Sequence, residues 1–189
     1  NCRNMKNMCY GCSVLSQDVS TWDVIRVSNY AQMFMKATAF SGNISKWKVT
    51  SGNDYTSMFE NATAFNIDIS SWITTAAQFM KRMFANATSF NANLASWDVS
   101  GVTDFSGMFY NAVKFARNLG AWVVNNATTM FEMFYNTTLF GADGSFNLNN
   151  WKPVNVTDMT RMFMLSGFNC PVDGWSFGEQ AIQTSMFES

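Results

Sequence analysis

Four cysteines are the side chains of this sequence best equipped for chemistry: Cys2, Cys9 and Cys12 near the start and Cys170 near the far end. Cys9-Tyr10-Gly11-Cys12 has the spacing of a redox or zinc pair. A structural zinc site needs four ligands, and this cluster offers three thiols, no histidine and no second C-x-x-C. No metal or cofactor is therefore expected. Two readings stay open for the cluster: a disulfide stapling the start of the chain, or simply buried thiols. All four cysteines count as disulfide candidates, although Cys170 lies six repeats from the others. At about 4.8 Å per stacked strand that is roughly 29 Å, beyond the reach of a disulfide. Its expected state is a free thiol or a bond to a partner outside the chain.

Histidine is absent. Nothing supplies the imidazole of Ser-His-Asp or Cys-His catalysis, and the 13 acidic residues are dispersed rather than gathered into a metal loop. The expectation is a protein that is not an enzyme and has no catalytic residues. The remaining chemistry is that of modification. Six Asn-x-Ser/Thr triplets begin at Asn43, Asn61, Asn86, Asn126, Asn136 and Asn155, and these are the glycosylation candidates. A chain this rich in Asn, Ser and Thr contains most of that number by chance. Three of the triplets also recur at one repeat position.

The elements that must position these residues are repeats. Tryptophan recurs at Trp22, Trp47, Trp72, Trp97, Trp122, Trp151 and Trp175, at intervals of 25, 25, 25, 25, 29 and 24 residues. A Met-Phe pair follows each of them, from Met33-Phe34 to Met186-Phe187, and a further phenylalanine (Phe40, Phe65, Phe90, Phe115, Phe140) follows most pairs. The 29-residue interval holds a four-residue insertion in "GADGSFNLNN". Such periodicity predicts a stack of units, none able to bury its apolar face alone. Within one unit, Trp97 and Val99 alternate as in a half-buried strand. Val102, Phe105, Met108, Phe109 and Ala112 then follow the i, i+3, i+6, i+7, i+10 stripe of a short helix, with Ser100 or Thr103 suited to its start and Asn111 to its end. Methionines in so fixed a register are expected to fill core.

The predicted fold class is thus an α/β solenoid of leucine-rich-repeat type. About seven strand-turn-short-helix units stack with a parallel sheet on one face. One domain spans 1–189, with a degenerate cysteine-containing first unit (1–21), regular repeats (22–174) and a truncated last unit (175–189). In the first unit, Cys2, Cys9 and Cys12 take the Val, Phe and Ala positions of the stripe and should all point inward.

Composition bounds the partners. Of the 189 residues 48% are hydrophobic and 13% charged, as in a folded protein. A net charge of −1 without a basic cluster leaves no electrostatic footprint for nucleic acid. No apolar run approaches the roughly 18 to 20 residues of a membrane span. A start at Asn1 without a signal peptide or initiator methionine predicts a processed or partial product of a longer chain.

The unit "WDVSGVTDFSGMFYNAVKFARNLGAW", Trp97 to Trp122, resembles the 25–26-residue repeat of BspA-like leucine-rich-repeat surface proteins. The likeness extends over essentially the whole chain. It implies an extracellular or cell-surface protein acting in protein–protein recognition, adhesion or surface architecture, with no family catalytic residues to transfer. The partners implied are a protein or neighbouring subunits, with a glycan as a further candidate. The alternative is a structural subunit whose uncapped ends stack into a filament or coat. The binding-face candidates follow each tryptophan and should point outward: Asp23, Lys48, Ile73, Asp98, Val123 and Lys152.

Overall fold

A computed structural model describes residues 2–15 and 17–188; Asn1, Ser16 and Ser189, which bound or fall within the expected first and last units, lie outside the described residues. The chain winds as a stack of coils. Asn4, Asn29, Asp54, Phe79, Asp104, Thr129, Asp158 and Ile182 pair in parallel, each with the next. Tryptophan rings stack from coil to coil at centroid separations of 5.8–6.5 Å between residues 22, 47, 72 and 97, and again between 122, 151 and 175.

The expected α/β solenoid of strand-turn-helix units is not what the coils contain. Among the described residues there is no α-helix, and the parallel pairing consists of single bridges rather than a sheet. The segment expected to be helical is a pair of tight turns. Met33 N donates to Tyr30 O at 3.0 Å and Ala37 N to Phe34 O at 3.0 Å. Gln32 and Lys36, the third residue of each turn, have φ of 58° and 61°. A four-residue turn with positive φ at its third position alone is a type II turn. The pair recurs at Ser57/Asn61, Arg82/Asn86, Gly107/Asn111, Glu132/Asn136 and Arg161/Leu165.

Two consecutive four-residue turns bring residues i, i+3, i+4 and i+7 to one side, the same spacing as a helical stripe. Phe105, Met108, Phe109 and Ala112 are all fully buried, as an amphipathic helix would have them. What differs is where the N–H groups go. In a helix each would bond within its own segment. Here every second one leaves the coil: Tyr30, Gln32, Phe34 and Lys36 donate to the carbonyls of Asp54, Thr56, Met58 and Glu60 at 2.8–2.9 Å. The inter-coil backbone ladder therefore runs down the segment expected to be helical. On the tryptophan side, Trp97 and Val99 are buried and Asp98 exposed, as alternation predicts. No backbone ladder joins that side among the described residues. Its coils are tied by indoles, Trp72 Nε1 to Ile44 O at 3.0 Å and Trp97 Nε1 to Ile69 O at 3.0 Å, and by hydroxyls such as Ser96 Oγ to Ser70 O.

The core lies between these two sides. Phe59 stacks on Phe65 at 3.8 Å within its coil and on Phe34 and Phe84 at 5.7 Å across coils. The methionine of every regular pair, Met33 through Met186, is buried beside them. Burying each such side chain is worth roughly 1.5 to 3 kcal/mol. The insertion is absorbed by one extra turn, Gly144 N to Gly141 O at 3.0 Å with both glycines at positive φ. The Thr129–Asp158 pairing is kept across it.

Two predictions separate this fold from a helical one. Asn61 has φ 61°, so Asn61→Ala should cost about 1 kcal/mol while Asn61→Gly is close to neutral in urea unfolding. A helix would give the opposite order, since alanine is its best former and glycine among its worst. At Gly52 a Cβ would sit 1.9 Å from the Tyr55 hydroxyl oxygen, which donates to Val49 O at 3.2 Å. Gly52→Ala should cost about 1 to 3 kcal/mol. Because the ring carbon Cζ of Tyr55 and the Val49 carbonyl crowd the same Cβ, only part of it should be recovered in the Gly52→Ala/Tyr55→Phe double variant. Equal losses in both backgrounds would show that the hydroxyl is not the obstacle.

Candidate binding surface

The tryptophan side carries the expected face. Asp23, Lys48, Ile73, Asp98, Val123 and Lys152 are all exposed, with Ile73 and Val123 about half open at 54% and 52%. They do not form a charged array. Asp23 and Asp98 turn their carboxylates back onto the N–H groups of Ile25 and Ser100, and Lys152 Nζ donates to the carbonyls of Asn149 and Gly174 at 3.2 and 2.6 Å. Three of the six thus serve the local backbone, which leaves Lys48, Ile73 and Val123 as outward contacts.

A second surface, which the sequence reading did not single out, lies along the turn ladder. The positive-φ residue of the first turn in successive coils is Ser57, Arg82, Gly107, Glu132 and Arg161. Glycine removes the side chain from the middle of this column and leaves a depression of about 280 Å³, lined by Lys81, Arg82, Ser106, Gly107, Thr129, Phe131, Glu132 and Asp158. Its walls are held in place. Arg82 bonds Glu60 Oε1 through Nε and Nη2 at 3.0 and 2.9 Å and lies over the Tyr110 ring. Arg161 pairs with Glu132 at 2.7 Å and covers the Phe131 ring. Ser106 Oγ and Thr129 Oγ1 share a hydrogen bond of 3.1 Å. Tyr110 stacks on Tyr135 at 4.8 Å, and Phe79 stands exposed where the other coils mostly carry Asn, Asp or Thr.

This is a short patch of fixed aromatic rings and arginines with cationic Lys81 and Arg82 on one side and Glu132 and Asp158 on the other. The aromatic and arginine content matches the residues that dominate protein interfaces. Two signals for it were present in the sequence: Phe79 in a polar column, and Gly107 where neighbouring repeats carry Ser, Arg or Glu. Both become visible only once the unit is aligned on the turn.

The modification candidates divide. Asn43, Asn126 and Asn155 are exposed; Asn126 and Asn155 donate through Nδ2 to Ser100 O and Asn125 O, whereas Asn43 accepts from Ser45 N and Oγ through Oδ1. Asn61, Asn86 and Asn136 are half-buried at positive φ rather than at a helix end. Asn136 Nδ2 donates to Asn111 Oδ1 and Asn111 Nδ2 to Asn86 Oδ1, forming an amide ladder at 2.8–2.9 Å. Recurrence of the triplet thus reflects a residue tolerant of the left-handed region. The cysteines also differ from expectation: Cys9 is buried, but Cys2 and Cys12 are exposed rather than pointing inward, and Cys170 is half-buried against Gly141. Among the described residues no three Cys, Asp or Glu side chains converge as metal ligands do, and no helix is long and apolar enough to cross a membrane.

Four surface carboxyls are shifted in one direction. Hydrogen bonds from Ser20, Ser70 and Ser145 to Asp18, Asp68 and Asp143, and those from Ser100 to Asp98, hold these carboxyls below their ordinary value. A lowered folded-state pKa contributes stability above the unfolded value and loses it as pH falls through the folded one. With no histidine in the chain, the melting temperature should be flat from about pH 8 to about pH 5 and fall only in the carboxylate range. A step near neutral pH in a thermal scan series would contradict this.

The model of the family described as "Mycoplasma protein of unknown function, DUF285" matches the chain three times in overlapping stretches, residues 1–95, 56–146 and 92–189. No curated protein and no solved structure matches it.

Proposed function

We propose, from the premise that the chain belongs to this DUF285 family across its whole length, that it is a non-catalytic recognition module whose turn-ladder surface binds a protein partner. The observation that carries the reading is the Gly107 depression. It is the place where an otherwise continuous column of side chains is interrupted, and its lining combines Phe131 with Arg82, held by Glu60, and Glu132, held by Arg161. Rings and guanidinium groups already held in position lose little side-chain entropy on binding. A surface of opposed charges selects a partner by complementarity rather than by bulk attraction. The repeat's resemblance to BspA-like surface proteins supports an extracellular or cell-surface setting, where recognition and adhesion are the roles such a module would serve.

The test starts with partners enriched on the immobilised chain and measures affinity for variants on each side. Phe131→Ala with Arg82→Ala should weaken binding at least tenfold, the scale of an interface hot spot at about 2 kcal/mol. Gly107→Asn, a residue that tolerates positive φ, should fill the depression and do the same at unchanged melting temperature. Ile73→Ser and Val123→Ser should leave affinity within twofold. Loss through the tryptophan-side variants alone would move the site to the other face and overturn the assignment.

A further inference from the structure

The geometry points to Cys9 and Cys12 as a thiol pair that closes into a disulfide across a type II turn. Cys12 N donates to Cys9 O at 3.2 Å, and Gly11, the third residue, has φ 69°. A turn of this kind holds its first and fourth Cα atoms within about 7 Å, which overlaps the 4.4–6.8 Å that a disulfide spans. In every later coil from Phe34/Ala37 to Phe109/Ala112 the residues at these two positions are both buried on one side of the turn, so the two Cβ atoms leave the backbone in a shared direction. The Cys12 thiol is near enough to raise the Cys9 pKa, adding to the larger effect of burial, which together push it up to about 11.

The other thiols are placed elsewhere. Cys2 Sγ donates to the carbonyl of Asn4, and Cys170 Sγ lies against Gly141 O several coils away. The first coil also lacks what stabilises the same turn elsewhere. Its neighbours stack two phenylalanines, Phe34 on Phe40 at 4.0 Å and Phe59 on Phe65 at 3.8 Å, where this coil has Cys9 and Leu15. A covalent link across the turn substitutes for the missing ring pair.

The oxidant is a disulfide of a small thiol. Exposed Cys12 attacks it as the thiolate, forming a mixed disulfide and releasing one thiol. Cys9, deprotonated in turn, attacks Cys12 Sγ, forms the Cys9–Cys12 bond and releases the second thiol. Two protein thiols are oxidised and one external disulfide reduced. Because burial keeps Cys9 protonated, the second step should accelerate as pH rises towards that of its ionisation.

The full chain is incubated with oxidised glutathione, quenched with acid, alkylated and mapped by mass spectrometry without reduction. The expected product yields one peptide lighter by two hydrogens, in which Cys9 and Cys12 resist alkylation and neither carries glutathione, while exposed Cys2, with no resolving thiol beside it, reacts or keeps a glutathione. Cys9→Ser should trap glutathione on Cys12. Cys12→Ser should leave Cys9 unmodified. Cys9→Ala and Cys12→Ala give the same pair of outcomes should either serine variant fail to fold, as judged by tryptophan fluorescence. A stable glutathione adduct on Cys12 of the unaltered chain, or a link from either residue to Cys2 or to a second chain, would overturn the assignment.

Discussion

The structure depends on the alternation of backbone hydrogen bonds along the turn ladder. One N–H closes a type II turn within the coil and the next reaches the neighbouring coil. That alternation requires a residue at positive φ every fourth position, and thirteen of those described are not glycine. At roughly 1 to 2 kcal/mol per residue other than glycine or asparagine, the coil of Gln32 and Lys36 carries roughly 2 to 4 kcal/mol of backbone strain, and coils with asparagine or glycine carry less. Against this a coil buries a tryptophan, two phenylalanines and a methionine, worth about 6 to 12 kcal/mol together at the usual value per side chain. Core packing wins, but only when neighbouring coils are present to complete it. The strain is thus tolerated by the stack and would not be tolerated by a coil alone.

The two long sides of the stack are consequently unequal. On the turn side the backbone itself is paired from coil to coil, so the residues between the pairing points can vary without loosening the ladder. Arginine, glycine, glutamate and serine all occupy one column there. On the tryptophan side the coils are joined by indole N–H groups and hydroxyls to single carbonyls, and outward Asn126, Lys152 and Asn155 are committed to the same task. The outward column of the tryptophan side is as varied, from Asp23 and Lys48 to Ile73 and Val123, so the turn side is distinguished by the residues that line its depression. That depression, at Gly107, is lined by Arg82, Phe131 and Glu132 among others.

The candidate surface was legible only in part for a physical reason. Outward pointing of Asp23, Lys48, Ile73, Asp98, Val123 and Lys152 follows from simple alternation about a buried tryptophan, and the structure has all six exposed. Alternation says nothing of whether an exposed charge is free. Asp98 is held by the N–H of Ser100, and Lys152 by two carbonyls; such bonds depend on backbone path. The cluster around Gly107 draws on residues from coils 25 to 76 positions apart, Arg82, Gly107, Glu132 and Asp158 among them. Their proximity requires knowing which turn position stacks on which.

The sequence by itself determined the repeat, its register and its core. The intervals between tryptophans set the coil length, and the Trp, Met and Phe columns are buried because their periodicity leaves no other way to remove them from water. It could not determine the local conformation. An apolar stripe at i, i+3, i+4 and i+7 is common to an amphipathic helix and to two successive type II turns, so hydrophobic spacing has the same appearance in both. Only the tertiary structure chose between them. It chose through the neighbour: an N–H that finds a carbonyl in the next coil has no need of one four residues back, and that outward path is held open by positive φ at every fourth position, taken by asparagine in the second turn of four coils.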